Sequence, residues 1–275
     1  MKKLILASML MATPVTLLAE GSPWLLSPGE TRVQLSYVSQ EADRLFAGDN
    51  EVDIPGGGDL EQSTYWISLS HGINDDLEID FRAGYSDTDI DGGSGQDGIT
   101  DTTIGLTWRF HDEFLSESNA PSAAIRVAAT IDGDYDTGAI TAIGDGASGV
   151  EASIILGKAF TSQFAVSGDI GYRYRDSNVA NEAFLNLAAY YAINDKLSTS
   201  IAYHKVDARD GLDIGGPGFT PSRFPEVEED YDLYEIGINY TITSDLSFGV
   251  SYGSLFEGKN APKSDVISAS FGFTF

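Results

Sequence analysis

The chain has 275 residues, no cysteine and a formal net charge of −26 at pH 7. The lack of cysteine excludes disulfides and thiolate metal sites, and the acidity argues against a nucleic-acid partner because phosphate binding needs a basic surface. Frequent glycine, tyrosine and phenylalanine, with no 3.6-residue apolar period, favour an exported all-β protein.

The N-terminus has the pattern of a secretory leader. Two lysines precede the apolar run LILASMLMATPVTLLA, which is too short for a spanning helix, and Ala19 offers a cleavage point. We therefore predict a signal peptide over 1–19, a short periplasmic segment over 20–30 and a folded region over 31–275.

Twelve strands are predicted downstream. They cover residues 31–39, 61–73, 77–85, 101–110, 123–131, 150–160, 164–175, 182–193, 197–205, 231–242, 246–253 and 265–275. Tight turns such as NDD, TSQ, NDK and TSD alternate with longer connections rich in glycine and aspartate. This alternation is typical of outer-membrane barrels, which have short periplasmic turns and long external loops.

Side-chain alternation separates the predicted strands into an apolar face and a polar face. The fourth strand, for example, places Ile104, Leu106, Trp108 and Phe110 on one face without a charge. An arginine or lysine facing lipid at mid-bilayer would cost about 2–4 kcal/mol. A soluble β-sandwich also alternates, so this pattern alone leaves both folds open.

Aromatic residues near both ends of the strands favour the membrane barrel. Those near the long connections are Tyr37, Tyr65, Tyr85, Tyr174, Tyr203, Tyr234 and Tyr252. Those near the short turns are Trp108, Phe110, Phe160, Phe164, Tyr191, Tyr240 and Phe248. Two aromatic girdles mark the two membrane interfaces. We predict a transmembrane antiparallel up-and-down β-barrel of about twelve strands in a Gram-negative-type outer membrane, with lipid as a partner.

The last ten residues, VISASFGFTF, alternate apolar and small polar side chains and end on Phe275. We expect this strand to close the barrel by pairing with residues 31–39. A terminal aromatic after such a strand resembles the signal read by the outer-membrane insertion machinery, which we predict as a partner.

The polar face must then line the lumen, and it carries most of the strand arginines. The candidate lumen or constriction residues are Arg82, Arg109, Arg126, Arg173, Arg175, Glu78, Asp80, Glu151 and Asp169. They can form a ring that selects ions or orients a permeant, or a network of pairs that fixes the barrel shape. Both interpretations can hold together. Trp24, Leu25 and Leu26 can tuck into the periplasmic mouth.

Two long connections carry further candidates. The stretch DTDIDGGSGQDGIT contains Asp87, Asp89, Asp91 and Asp97 and fits one copy of a calcium-binding nonapeptide. A single copy has no neighbouring turn to share the ion, so these are weak candidates and we predict no metal. The longest connection, 207–230, carries Phe219, Arg223 and Phe224, which can form a gate or lie in an exposed loop.

The chain shows no sign of catalysis. Twelve-stranded lipid hydrolases carry a His-x-Ser pair, but residues two positions after His71, His111 and His204 are not serine. Carboxylates such as Glu78 and Asp80 lie near arginines with which they can pair, and an ion-paired carboxylate does not suit a general acid. We predict a non-enzyme without a cofactor.

Several motifs resemble the transporter family named for the meta-pathway of phenol degradation. They are PWLLSPGETRVQLSYV (23–38), ISLSHGINDDLEIDFRAGY (67–85), GQDGITDTTIGLTWRF (95–110), PSAAIRVAATI (121–131) and LGKAFTSQFAVSGDIGYRYR (156–175). The resemblance implies an outer-membrane barrel that takes up small, often aromatic or apolar compounds.

We therefore predict an outer-membrane channel for passive passage of small-molecule permeants, with small aromatic or apolar compounds as one class. The alternative is a structural or surface-interaction barrel whose acidic loops bind cations.

Overall fold

The computed structural model describes residues 21–54 and 58–275. The predicted signal peptide lies outside this part of the chain.

Twelve long antiparallel strands of the described residues form a closed barrel, and two short strands extend it, which confirms the predicted fold class. The barrel strands are β1 (Thr31–Ala47), β3 (Leu60–Asn74), β4 (Leu77–Ile90), β6 (Thr102–His111), β7 (Ser122–Ile131), β8 (Gly149–Ala159), β9 (Phe164–Arg175), β10 (Asn181–Ala192), β11 (Leu197–Arg209), β12 (Asp230–Thr241), β13 (Leu246–Lys259) and β14 (Pro262–Thr274). The short strands are β2 (Asn50–Asp53), paired with β1, and β5 (Gln96–Ile99), paired with β4.

Each barrel strand pairs with its neighbour in the chain, and β14 returns to β1. The two ends of the barrel differ in their connections. The short-turn end carries the termini of the barrel and connections such as 75–76 and 242–245, and the long-loop end carries 132–148 and 210–229. No helix within 21–54 and 58–275 is both long enough and apolar enough to cross a bilayer.

Several strands continue past their predicted ends at the long-loop end, where the sequence prediction was wrong. β1 runs to Ala47, β4 to Ile90, β11 to Arg209 and β13 to Lys259. A hairpin ladder continues wherever backbone groups find partners, so it does not stop at the membrane edge. The polar residues beyond that edge lack the apolar alternation on which the prediction relied.

The pattern of burial on the strands is the reverse of that in a soluble protein, because apolar side chains point outward and polar side chains point inward. In β6, Trp108 is 53% exposed and Ile104 43% exposed, whereas Thr107 and Arg109 are buried. The exposed apolar side chains form the surface that lipid covers, so the lumen holds the polar residues. Tyrosines of the outer girdle are anchored by carboxylates: Tyr203 donates to Asp232 at 3.0 Å.

The closing seam pairs β1 with β14 from Arg32 to Ala42 without interruption, and its register shifts between Ala42 and Leu45. Arg32 lies opposite Thr274, and the backbone of Thr31 exchanges two hydrogen bonds of 2.8 and 2.9 Å with Phe275. The Phe275 ring is 65% exposed and stacks on Phe273 with centroids 5.5 Å apart. Recognition of this end by the insertion machinery stays a prediction.

Candidate functional site

The N-terminal segment, residues 21–30, lies inside the barrel at the short-turn end. Trp24, Leu25 and Leu26 are buried. The indole Nε1 of Trp24 donates to Glu113 Oε1 at 3.3 Å, and its ring meets Tyr190 edge-on. The Leu26 N–H donates to Glu78 Oε2 at 2.8 Å. Side-chain burial and these bonds seat the segment across the lumen.

Glycines of the barrel wall make room for this segment. A Cβ on Gly157 would lie 2.5 Å from Pro23, and a Cβ on Gly72 would lie 2.3 Å from the Ser27 carbonyl oxygen. Both distances are too short for any side chain. The wall is therefore shaped for close approach of the segment, whose first described residue, Gly21, reaches Ile155 and Arg126.

A series of ion pairs runs along the inner face of the barrel wall, from strand to strand, next to the N-terminal segment. Arg126, which is 2% exposed, contacts Asp80 at 2.7 Å and also pairs with Glu151. Arg173 bonds the other oxygen of Glu151 at 3.0 Å and reaches Glu182 at 2.5 Å. We call these five residues the charge chain. Each arginine bridges two carboxylates, so the chain joins β4, β7, β8, β9 and β10 inside the lumen.

The strand β6 lies between Asp80 on β4 and Arg126 on β7, and these two side chains meet over a glycine of β6. A Cβ on Gly105 would lie 2.3 Å from Asp80 Oδ2 and 2.5 Å from Arg126 Nη2. The pair therefore occupies the space that a side chain at position 105 would need.

The remaining predicted lumen residues are not part of the charge chain. Arg82 lies over the Trp66 ring at 4.1 Å, and Arg175 pairs with Asp101 at 3.5 Å. Arg109 pairs with Asp112 at 3.0 Å at the short-turn end and thereby holds a turn. Glu78 receives the N-terminal segment, as described above. Asp169 accepts from Asn186 at 3.1 Å.

A second buried polar cluster continues from Asp169 and was not singled out from the sequence. His204, 1% exposed, bonds through Nδ1 to Asn186 Oδ1 at 2.8 Å. Its Nε2 lies 3.8 Å from Glu235 Oε2. Strand register brings these residues together from different strands. Register also decides that Glu182 and Asp101 serve the arginines.

Two loops fold over the long-loop end. In the 132–148 loop, Tyr135 donates to Asp101 and accepts the Gly146 N–H at 3.0 Å. The predicted gating loop contains η1 (Pro221–Glu226), a short 3-10 helix. In that loop Phe224 lines the lumen, and Arg223 pairs with Glu226.

The Phe219 ring packs edge-on against Phe224, with centroids 5.4 Å apart. The three residues of the predicted gate are therefore close together, and one of them faces the lumen.

Asn260 ties three external segments to one another. The side chain is 1% exposed, and its Oδ1 accepts from the N–H groups of Gly48 and Ile214 at 2.8 and 3.0 Å. Its Nδ2 donates to Asp213 Oδ1 and to the Glu228 carbonyl. The residue adopts φ +56°, which asparagine tolerates better than most residues.

Replacement of Asn260 by glycine is expected to loosen the long-loop end. The variant Asn260→Gly keeps the backbone free to adopt positive φ but removes four hydrogen bonds, of which each is worth about 1 kcal/mol. Faster limited proteolysis within 210–229 is expected, with an unchanged barrel core. Asp210→Gly is the matched control, because Asp210 also has positive φ but is exposed. Equal cleavage rates in both variants would contradict the role of the Asn260 side chain in holding the three external segments together.

Between these loops and the charge chain lies a cavity of about 500 Å³. Its two sides differ. The apolar wall is formed by Val38, Leu233, Leu255, Ala261 and Val266, with Trp66 and Tyr231 packed against them. The charged wall carries Arg82, Asp101, Arg126, Glu151, Asp169, Arg173 and Arg175. The cavity can therefore accommodate a molecule that has both an apolar and a charged part.

The acidic stretch of the β4–β5 hairpin remains at the surface. Asp87 lies directly opposite Asp97 in the strand register, and Asp97 accepts from Tyr85. Asp89 and Asp91 are also exposed. Over 21–54 and 58–275, no group of three or more His, Cys, Asp or Glu residues is arranged to hold a metal ion. The weak metal candidates therefore gain no support from the geometry.

Comparison with known proteins adds the family. The family described as "Putative MetA-pathway of phenol degradation" matches residues 47–271. The chain belongs to this family. The resemblance drawn from the sequence motifs is thus confirmed. No curated protein sequence matches the chain.

Several solved structures share the fold of this chain, which is a member of the phenol-degradation family. The COG4313 outer membrane channel from Pseudomonas putida F1 has a TM-score of 0.74 at 15% identity, covering 91% of this chain and 97% of that one. The KdgM porin has a TM-score of 0.53 at 8% identity, covering 88% and 99%, respectively. The NanC porin has a TM-score of 0.55 at 8% identity, covering 88% and 98%. The likeness identifies the fold as a transmembrane barrel of the outer-membrane type.

Proposed function

We propose that the chain is a passive channel in the outer membrane of a Gram-negative-type cell. Small molecules with an aromatic or apolar part cross it through the lumen. The observation that carries this proposal is the cavity of about 500 Å³, enclosed by the barrel and lined on one side by apolar and aromatic side chains. Membership of the phenol-degradation family supports the same substrate class.

The two ends of the lumen are covered by segments that belong to no barrel strand. The N-terminal segment covers the short-turn end, and the loops 132–148 and 210–229 cover the long-loop end. Surface loops are among the parts of a protein that open locally at low cost, whereas the N-terminal segment is held in place by the buried side chains of Trp24, Leu25 and Leu26. Passage therefore needs movement of these covers while the barrel stays intact.

The C-terminal strand is the part of the chain that we connect with insertion into the membrane. The exposed Phe275 ring, with Phe273 stacked against it, stands at the edge of the closing seam. We propose that the insertion machinery recognises this strand before it pairs with β1.

The channel function can be tested with single cysteines, since the chain has none of its own. Ser153 lines the cavity, whereas its neighbour Ala152 points outward to lipid. In proteoliposomes, attachment of a bulky methanethiosulfonate reagent to Ser153→Cys is expected to abolish uptake of small organic solutes. The same treatment of Ala152→Cys is expected to leave uptake unchanged.

Two results would contradict this function. Uptake by the unmodified barrel that does not exceed that of protein-free liposomes would exclude a channel. Uptake that survives full modification of Ser153→Cys would exclude the lumen as its route.

A further inference from the structure

The cavity has more carboxylates than arginines. Four arginines line it: Arg82, Arg126, Arg173 and Arg175. Seven carboxylates line it or pair with those arginines: Asp80, Asp101, Asp145, Glu151, Asp169, Glu182 and Glu229. With every group ionised, three negative charges are left over among the described residues.

Pairing shows where the excess lies. Three of the arginines are paired with Asp80, Glu151, Glu182 and Asp101, as described above. By contrast, Asp145 and Glu229 form neither a hydrogen bond nor an ion pair with any residue that the structure describes. Both line the cavity from the long-loop end.

The surroundings of Asp145 disfavour its charge. Burial raises the pKa of Asp145 to about 6. Glu182 and Asp101 add to this rise, whereas Arg175 and Arg173 oppose it. Neither arginine forms an ion pair with Asp145, and each is paired with another carboxylate: Arg173 with Glu151 and Arg175 with Asp101.

The surroundings of Glu229 are more unfavourable still. Burial raises the pKa of Glu229 to about 8, and the negative charges of Asp145 and Glu182 add to the rise. The charged groups that act on Glu229 are thus carboxylates. A partly buried charge without a partner is unfavourable, and a cation that enters the site would offset that cost.

We propose that this cavity binds a small organic cation with an apolar or aromatic body, such as a protonated amine or a quaternary ammonium. The cationic group lies at Asp145 and Glu229, and the body packs on the apolar wall. This inference rests on the proposed channel function and names the class of permeant.

Two aromatic rings of the cavity have guanidinium groups over their faces. Arg82 lies 4.1 Å from the centroid of Trp66, and Arg173 lies 5.5 Å from that of Phe184. Ring faces in this lumen therefore already hold guanidinium groups, an arrangement stabilised by the ring quadrupole. An anion of the same size would face the excess of carboxylates, and a neutral molecule would gain nothing from them.

The test is equilibrium binding to the full mature barrel in detergent at pH 9, measured by calorimetry. Benzyltrimethylammonium is expected to bind roughly tenfold more tightly than benzyl alcohol, because its positive charge is attracted to the carboxylates although it donates no hydrogen bond. Benzoate is expected to bind most weakly. This comparison needs no variant, so it does not depend on the folding of a mutant. Equal or tighter binding of benzoate would overturn the proposal.

The variants Glu229→Gln and Asp145→Asn locate the site. Each is expected to weaken binding of benzyltrimethylammonium roughly tenfold and to leave binding of benzyl alcohol unchanged. The matched controls are Glu226→Gln, whose carboxylate pairs with Arg223, and Asp136→Asn, which is exposed in the same loop as Asp145. Unchanged cation affinity in both Glu229→Gln and Asp145→Asn would overturn the assignment.

The pH dependence supplies a second readout. A carboxylate whose pKa is raised is neutral below that value, so the affinity for the cation is expected to rise from pH 5 to pH 9. The quaternary ammonium keeps its charge over this range, so the change belongs to the protein. An affinity that stays flat or falls with pH would contradict the proposal.

Binding and transport separate this inference from the channel function. Preferential cation binding without uptake by the unmodified barrel would overturn the channel and leave the site standing. Uptake without any cation preference would overturn the site and leave the channel standing.

Discussion

Deletion of residues 21–28 is expected to convert a nearly closed barrel into one that conducts ions with a severalfold larger single-channel conductance. These residues fill the lumen at the short-turn end, where Trp24, Leu25 and Leu26 are buried. Each fully buried side chain of this size contributes about 1.5–3 kcal/mol. The segment therefore leaves its seat rarely, and its removal takes away the main obstruction at that end.

The measurement is single-channel recording in planar bilayers, with the predicted leader left in place for export. Leu115→Ala is a suitable control, since Leu115 is 76% exposed in the connection between β6 and β7 at the same end. Equal conductance of the deletion variant and the parent chain would mean that the segment does not limit passage. Partial variants such as Leu26→Ala are expected to fall between the two.

Substitution of Arg126 by alanine is expected to be the most destabilising single change in the lumen. The arginine bridges Asp80 and Glu151. Its removal leaves Asp80 without its ion-pair partner and leaves Glu151 paired with Arg173 alone. Removal of one member of a buried ion pair typically costs 3–5 kcal/mol, so we expect a loss of about 3–5 kcal/mol in the free energy of unfolding.

Urea unfolding of the barrel in lipid vesicles provides the measurement. Arg44→Ala is the control, because Arg44 also pairs with a glutamate, Glu51 at 2.8 Å, but in solvent. No measurable loss of stability is expected there, since exposed pairs contribute little. Arg126→Ala that unfolds at the same urea concentration as Arg44→Ala would contradict the structural role of the charge chain.

A second variant disturbs the ion pair of Asp80 and Arg126 without removing a charge. Gly105→Val keeps both charges but places methyl groups where Asp80 and Arg126 meet. It is expected to destabilise the barrel although no charged residue has been changed. A neutral effect would show that the pair can rearrange within the lumen.

The exterior of the barrel was predictable from the sequence because lipid is a uniform solvent. Trp108 and Ile104 need no specific partner on that side, so side-chain class and the two-residue period decide their placement. The same period assigned Arg126 to the lumen. Turn spacing then indicated twelve strands, and the terminal alternation indicated which strand closes the barrel.

The interior required the tertiary structure. Arg109 and Arg126 both face the lumen from neighbouring strands. Arg109 nevertheless pairs with Asp112 and holds a turn, whereas Arg126 lies at the centre of the charge chain. Height along the barrel depends on strand register, which no local pattern of these strands specifies. The extended ends of β1 and β4 escaped prediction for a related reason, since pairing outside the membrane needs no apolar residues.

The candidate ligand site depends even more on long-range packing. Asp145 and Glu229 are separated by more than eighty positions in the chain, and each lies in a loop with many other acidic residues. Nothing in their local sequence distinguishes them from solvated carboxylates. The sequence by itself determined which side chains face lipid, because that choice depends only on polarity. Only the folded chain decided which carboxylates face the lumen without gaining a partner, because that outcome depends on how two distant loops close over one lumen.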